Sequence, residues 1–262
     1  VGAEFADIGG PWIIIALCAV ALVAGWVDAV SGGGGLLQVP ALLLAVPANT
    51  PATALGTNKV SSVFGTFAAA VTYARRERPD FSTAIPMTLA AFIGAGFGAL
   101  VALRLPVEVL RPVVVISLAI VWLLIVIRPK WGQISATGAS TRRRWGTAIV
   151  GGVGIGFYDG MLGPGTGAFL ILLLVTALGY SYVRASGTAK IVNVGTNIAA
   201  ILVFGIGGSV LWAVGLLMAA CNVAGGILGA RTALARGSEF VRRVLIIVVG
   251  ILLITLTWDL LV

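Results

Sequence analysis

Sliding the 262-residue chain along itself by 131 positions superposes Asp28 on Asp159 and Lys59 on Lys190. The same ungapped offset of 131 matches Gly25 with Gly156, Gly32 with Gly163, Gly34 with Gly165, Gly56 with Gly187, Thr57 with Thr188, Gly94 with Gly225 and Gly98 with Gly229. The chain is a tandem duplication. A period of 131 residues is too long for a solenoid unit, so the copies, 1–131 and 132–262, read as half-domains that complete one core between them.

Apolar residues make up 59% of the chain and charged residues 10%, where a soluble domain carries roughly 25% charged residues. That balance predicts an all-α, polytopic helical membrane protein. Its 36 glycines fit close helix packing and helices broken inside the membrane. A net charge of +8 would point to nucleic acid only if the basic residues covered a soluble face. They lie between apolar stretches instead, so topology explains the excess and no nucleic-acid partner is expected. Cys18 and Cys221 each sit within an apolar run, which indicates neither a disulfide framework nor a metal site. Glu4 and Asp7 stand where a secretory leader would carry basic residues, so the stretch from Trp12 reads as a resident span.

About 20 residues are needed to cross the hydrocarbon, and on that measure each copy divides into about five segments. They are 11–30, 36–46, 51–73, 81–103 and 107–127 in the first copy, and 145–161, 166–178, 182–204, 210–233 and 239–260 in the second. The second segment of each copy is too short to cross alone and is expected to form a glycine-broken hairpin with the first. Basic residues are retained on the cytoplasmic side. Placing 75–78, the basic linker 128–144, Arg184 and 231–243 there puts 13 of the 17 basic residues inside, against Arg104 and Arg111 outside. The first copy then begins outside and the second begins inside, so an odd number of segments makes the repeats inverted in topology. Both chain termini are expected outside. Inverted repeats broken at matching positions are the pattern of secondary transporters and point to a site near the midplane.

The hairpin apex reads SGGGGLLQVP from Ser31 and LGPGTGAFLI from Leu162. A glycine cluster at a helix start leaves N–H donors able to meet an anion, which nominates Gly33, Gly34 and Gly35 with Gly165, Thr166 and Gly167. Next come GTNKVSS from Gly56 and GTAKIVN from Gly187. Thr50 and Pro51 read as a cap and first turn, so Lys59 lies eight residues in, about 12 Å below the helix end. Lys190 reaches a similar depth from the other side. An ammonium that deep costs about 2.5–3.5 kcal/mol, too deep to reach the interface easily, so a functional or paired role is expected. Thr57, Asn58, Thr188, Asn193 and Asn197, with Ser62, Thr66 and Thr196, supply a polar track beside the lysines. Asp28 and Asp159 either carry protons or neutralise a cation, and an Asp28–Lys59 or Asp159–Lys190 salt bridge is the simplest pairing. Arg184 has no charged counterpart at Thr53; it either gathers anions or only marks the cytoplasmic side.

With the glycine apex after Asp28, the GTNK run ending at Lys59, and their copies at Asp159 and in the GTAK run ending at Lys190, the chain resembles the sulfite exporter TauE/SafE family of bacterial membrane proteins. The resemblance covers nearly the whole length. It implies export of small sulfur-containing anions, such as sulfite, sulfoacetate or another sulfonate, across the cytoplasmic (inner) membrane. The second copy departs from the first at Pro164 and Thr166 in the apex and at Ala189 in place of Asn58.

The leading reading is a secondary transporter working by alternating access, with a small anion as substrate, the lipid bilayer as surroundings and protons as a candidate coupling ion. A passive anion channel is the alternative, because it asks for the same donor-rich interior. An enzyme is not expected: the chain has no histidine, and neither a zinc motif nor a nucleotide-binding P-loop occurs. No cofactor is called for, and oligomeric state is not legible from the sequence.

Overall fold

The computed structural model describes residues 11–45, 51–77, 79–104 and 140–261, together with 119, 122, 123, 126 and 127. Glu4, Asp7, Thr50, Arg78, Arg111, most of the segment 107–127 and the linker 128–139 lie outside the described residues. Among the described residues the fold is entirely helical. The order is α1 (Pro11–Ser31), α2 (Gly35–Ala45), α3 (Pro51–Ala74), α4 (Phe81–Ala102), α5 (Thr141–Gly146), α6 (Gly152–Met161), α7 (Thr166–Leu178), α8 (Tyr182–Ile206) and α9 (Trp212–Leu261). A wide π turn, Thr147–Gly151, joins α5 to α6 so that the pair forms one rod. Gly237, with φ of 75°, breaks α9.

Among the described residues, four helices are long and apolar enough to cross a membrane: α1, α4, α8 and the Trp212–Ile251 part of α9. α3 is of similar length but carries the polar run from Gly56 to Ser62. The short helices α2 and α7 follow glycine breaks, where Gly32 and Gly165 take φ of 77° and 82°. That left-handed geometry turns the chain at little cost only for glycine. Asp80 caps α4, its side chain accepting from Ser82 N–H, and Ser181 caps α8 in the same way through Arg184 N–H.

Contacts between helices recur at the 131-residue offset. Gly94 on α4 packs against Val153 and Phe157 on α6, and Gly225 on α9 packs against Leu22 and Trp26 on α1. Gly156 meets Ala91, and Gly25 meets Asn222. Each glycine lies flush on the facing backbone, so a methyl group at any of the four would overlap a carbonyl oxygen or a main-chain atom. The first rod of each copy is therefore seated on the fourth helix of the other.

Orientations follow from the same contacts. α3 and α9 run in parallel, since Thr57 lies beside Leu211, Val60 beside Gly215 and Gly65 beside Gly226. α8 runs parallel to α4, with Gly195 against Thr88 and Gly207 against Leu103. α3 and α8 lie side by side in opposite senses: Gly187 meets Tyr73, while Gly56 meets Phe204 and Ser209. From the segment 107–127, Trp122 donates its indole N–H to the Ile246 carbonyl on α9 at 3.2 Å.

The pattern of burial inverts that of a soluble protein. Large apolar side chains such as Ile85, Leu89, Phe97, Val150 and Leu202 point outward, while Lys59, Lys190, Asp159, Asn58, Asn193 and Asn197 are buried. Only a hydrocarbon solvent favours that arrangement.

Candidate functional site

The glycine breaks bring the two hairpin apexes together at the centre. Gly32 and Gly167 meet backbone to backbone, and a Cβ on either would overlap the other's main chain. α3 and α8 cross beside this contact and carry the two lysines into it.

The lysines pair with aspartates, but not within their own copies. Lys59 Nζ lies 2.8 Å from Asp159 Oδ1, and Lys190 Nζ donates to Asp28 Oδ2 at 2.8 Å. The expected Asp28–Lys59 and Asp159–Lys190 pairings are thus replaced by crosswise ones. The reason lies in the packing: α1 carries Asp28 onto the helices of the second copy, and α6 carries Asp159 onto those of the first. The Lys59–Asp159 side chains are 3% and 5% exposed, and those of Lys190 and Asp28 are 0% and 18% exposed. Thr66 adds a 3.4 Å hydrogen bond to Asp28 Oδ2. Two ammonium groups and two carboxylates sum to zero charge, which is how a membrane protein can keep four ionised groups at its core.

Between the pairs lies a polar cavity of about 20 Å³, the room one water molecule needs. Its wall includes Lys59, Asp28 and Asp159, Asn58, Ser62 and Thr66 of α3, Asn193 and Asn197 of α8, and Gly35, Thr166 and Gly167 of the apexes. Gly163 borders it too; a Cβ there would stand 3.2 Å from Lys59 Nζ, so the missing side chain makes room for the ammonium. Two buried acceptors of the wall residues, Asp159 Oδ2 and Asn193 Oδ1, have no hydrogen-bond partner. A cavity with the Lys59 ammonium and the Asn58, Asn193 and Asn197 amides in its wall suits a small polyatomic guest once it widens, while Lys190, bonded to Asp28, is not among the wall residues.

Several residues selected from the sequence do other work. Thr57 Oγ1 accepts from Leu211 N–H at 2.9 Å, fastening α3 to the start of α9, and Thr188 Oγ1 donates to the Arg184 carbonyl at 3.0 Å. Gly33 faces Val248, and Gly34 lies on the Ala24 carbonyl. Gly165 caps α7 and also stays outside the cavity wall. Apex donors are partly consumed within the hairpins: Leu36 and Leu37 N–H groups turn back to Gly33 and Gly34, and Ala168 N–H turns back to Gly165. The charged side chains and amides, more than the backbone, therefore furnish the cavity.

A second polar cluster escaped the sequence reading. Asp80, after α3, accepts from Tyr180 Oη at 2.6 Å and lies 3.6 Å from Arg184 and 3.9 Å from Arg144. Arg184 also stacks on the Tyr180 ring at 4.4 Å. Three connections are tied together at this end of the bundle. The positions related by the offset, Leu211 to Asp80, Thr53 to Arg184 and Ile13 to Arg144, carry no charge, so the tie exists at one end only. The available signal was an acid closing the basic run ARRERPD directly before a helix start. Burial pushes the Asp80 carboxyl up, but hydrogen bonds from Ser82 and Tyr180, the Arg144 charge and Thr83 outweigh it and hold the group at about 2. Burial, and then the bond to Asp80, push the Tyr180 hydroxyl up. A lowered carboxyl stabilises above its ordinary value of 3.8, and a raised phenol stabilises below its ordinary value of 10.0. The tie is expected to hold between those pH values, failing in acid as the pH falls toward about 2. Asp80→Asn is expected to cost about 1.5–3 kcal/mol at pH 7, seen as a lower Tm in detergent; an unchanged Tm would show that the tie contributes nothing.

Spanning helices with an apolar exterior, wrapped around a small and charge-balanced polar centre, define a multi-pass membrane protein of the transporter class. The family model for the sulfite exporter TauE/SafE matches residues 17–256, and the chain belongs to that family. It is 37% identical over 244 residues to the "Probable membrane transporter protein ORF9" of Sinorhizobium sp, covering 93% of this chain and 92% of that one. It is 34% identical to the "Probable membrane transporter protein YfcA" of Escherichia coli (strain K12), over 95% and 91% of the two chains. A "Probable membrane transporter protein" of Haemophilus influenzae is 31% identical over 97% of each. No solved structure matches the chain.

Proposed function

We propose that this protein is a secondary transporter that exports a small sulfur-containing anion, sulfite, sulfoacetate or another sulfonate, across the cytoplasmic membrane of a bacterium. The observation that carries the reading is the pair of crosswise Lys–Asp bridges buried around one small cavity. An anion entering that centre takes the ammonium donors of Lys59 and Lys190 and the amides of Asn58, Asn193 and Asn197. In doing so it displaces Asp159 and Asp28. A carboxylate left without its cation in a low-dielectric site takes up a proton. Anion and proton then travel together, and the centre stays neutral throughout.

The antiparallel course of α3 and α8 supports two inverted repeats, with the basic linker and the Asp80 tie on the cytoplasmic side and both termini outside. Rocking of rods α1 and α5–α6 on their partner helices would open the cavity to each side in turn. A cavity with room for only one water molecule favours a carrier over an open channel.

Purified protein in liposomes is expected to move at least one of sulfite, sulfoacetate and methanesulfonate with saturation, and with competition among them. Flux that rises linearly without saturation would favour the channel, and no flux of any sulfur anion would overturn the substrate assignment.

A further inference from the structure

Away from the lysine–aspartate centre, a cavity of about 660 Å³ opens at the end of α3. Arg75, Arg76 and Glu77 line it from the end of α3, and Arg231 and Leu234 line it from α9. Three positive charges thus face one negative charge. Among the described residues, no side-chain hydrogen bond or ion pair reaches Arg75, Arg76 or Arg231. Unpaired guanidiniums converging on a cavity are built for an anion with several acceptor oxygens.

The surface below the cavity decides which kind of anion. α3 and α9 run in parallel here, and α3 exposes an apolar column that ends at an arginine. On α3, Phe64 and Phe67 are 47% and 59% exposed on the side of the helix that leads to Arg75. On α9, Leu216 is 50% exposed on the flank next to α3, one residue after Gly215, which packs against Val60. Phe64 lies eleven residues before Arg75, about 16 Å along the helix, close to the ~15 Å depth of one leaflet's hydrocarbon. A free oxyanion has no use for such a wall, whereas a lipid places its headgroup in the cavity and its chains along the wall.

We propose that this cavity binds the phosphodiester headgroup of an anionic phospholipid of the phosphatidylglycerol type. The three arginines hold the phosphate, and the Glu77 carboxylate accepts from the glycerol hydroxyls that distinguish this headgroup. The acyl chains lie on the Phe64/Phe67 surface and over Leu216 beside it. The site is independent of the transported anion and of the central cavity.

The test is native mass spectrometry of the purified full chain in detergent, titrated with phosphatidylglycerol or phosphatidylethanolamine of identical chains. Wild type is expected to retain phosphatidylglycerol on the order of a hundredfold more tightly, about fivefold for each arginine. Arg75→Gln/Arg76→Gln/Arg231→Gln is expected to bind the two lipids alike. Glycerol 3-phosphate, which has the head chemistry without chains, is expected not to displace the lipid. Should the triple variant fail to fold, Phe64→Asn, which keeps all three arginines, is expected to weaken phosphatidylglycerol retention about tenfold. Equal retention of both lipids by wild type would overturn the proposal. So would an undiminished preference in either variant, or displacement by glycerol 3-phosphate, which would make this a site for soluble anions.

Discussion

Lys59→Met alone is expected to destabilise the protein by about 3–5 kcal/mol, because it leaves the Asp159 carboxylate buried without its cation. At exposures of 3% and 5% that pair is cut off from bulk solvent. Adding Asp159→Leu is expected to restore most of the lost Tm, since an apolar pair of similar volume carries no desolvation penalty. Adding Asp28→Leu to Lys59→Met instead is expected to make matters worse, because it strips Lys190 as well. The two double variants thus separate crosswise from same-copy pairing. Rescue by Asp28→Leu, and not by Asp159→Leu, would mean that the bridges run within the copies.

Gly32→Ala is expected to have the second largest effect. The residue takes φ of 77°, and its α-carbon lies directly against the Gly167 backbone. A left-handed alanine costs about 1–2 kcal/mol, and forcing the apexes apart costs about 1–3 kcal/mol more. Separating the apexes also moves Asp28 from Lys190, so anion flux is expected to fall with stability. Gly167→Ala carries the packing cost without the backbone cost and is expected to be the milder of the two. Melting curves of both variants in detergent check the ranking; a Gly32→Ala variant with unchanged Tm would show that the apexes are not in close contact.

Periodicity and composition were enough to read the helical membrane fold, the short second segments and the lysine positions. Helical geometry also selected the cavity wall well where it was followed strictly. Ser62 and Thr66 lie three and seven residues after Lys59, and Asn193 and Asn197 lie three and seven after Lys190, so each set shares a face. Thr57 and Thr188 were drawn in by proximity along the chain, yet a step of two residues turns about 200° around a helix. Their hydroxyls accordingly serve the backbone on the far side.

The crosswise bridges were not legible, because either pairing satisfies the same four residues. Only the seating of α1 on α9 and of α6 on α4 selects between them, and that is a tertiary fact carried by glycines such as Gly94 and Gly225. Asp80 was passed over for a related reason. It has no charged counterpart at the offset, and its partners Arg144 and Arg184 are 64 and 104 residues away in sequence. The duplication marks what repeats, and the Asp80 cluster does not repeat.

Uptake of radiolabelled sulfite and sulfonates into proteoliposomes, comparing wild type with Lys59→Met/Asp159→Leu, probes the central bridges most directly. The double variant is expected to be folded, with a Tm close to wild type, and to carry none of the anions that wild type carries. Wild-type flux from a protein lacking that bridge would contradict the assignment of the crosswise pairs as the place where the anion is taken.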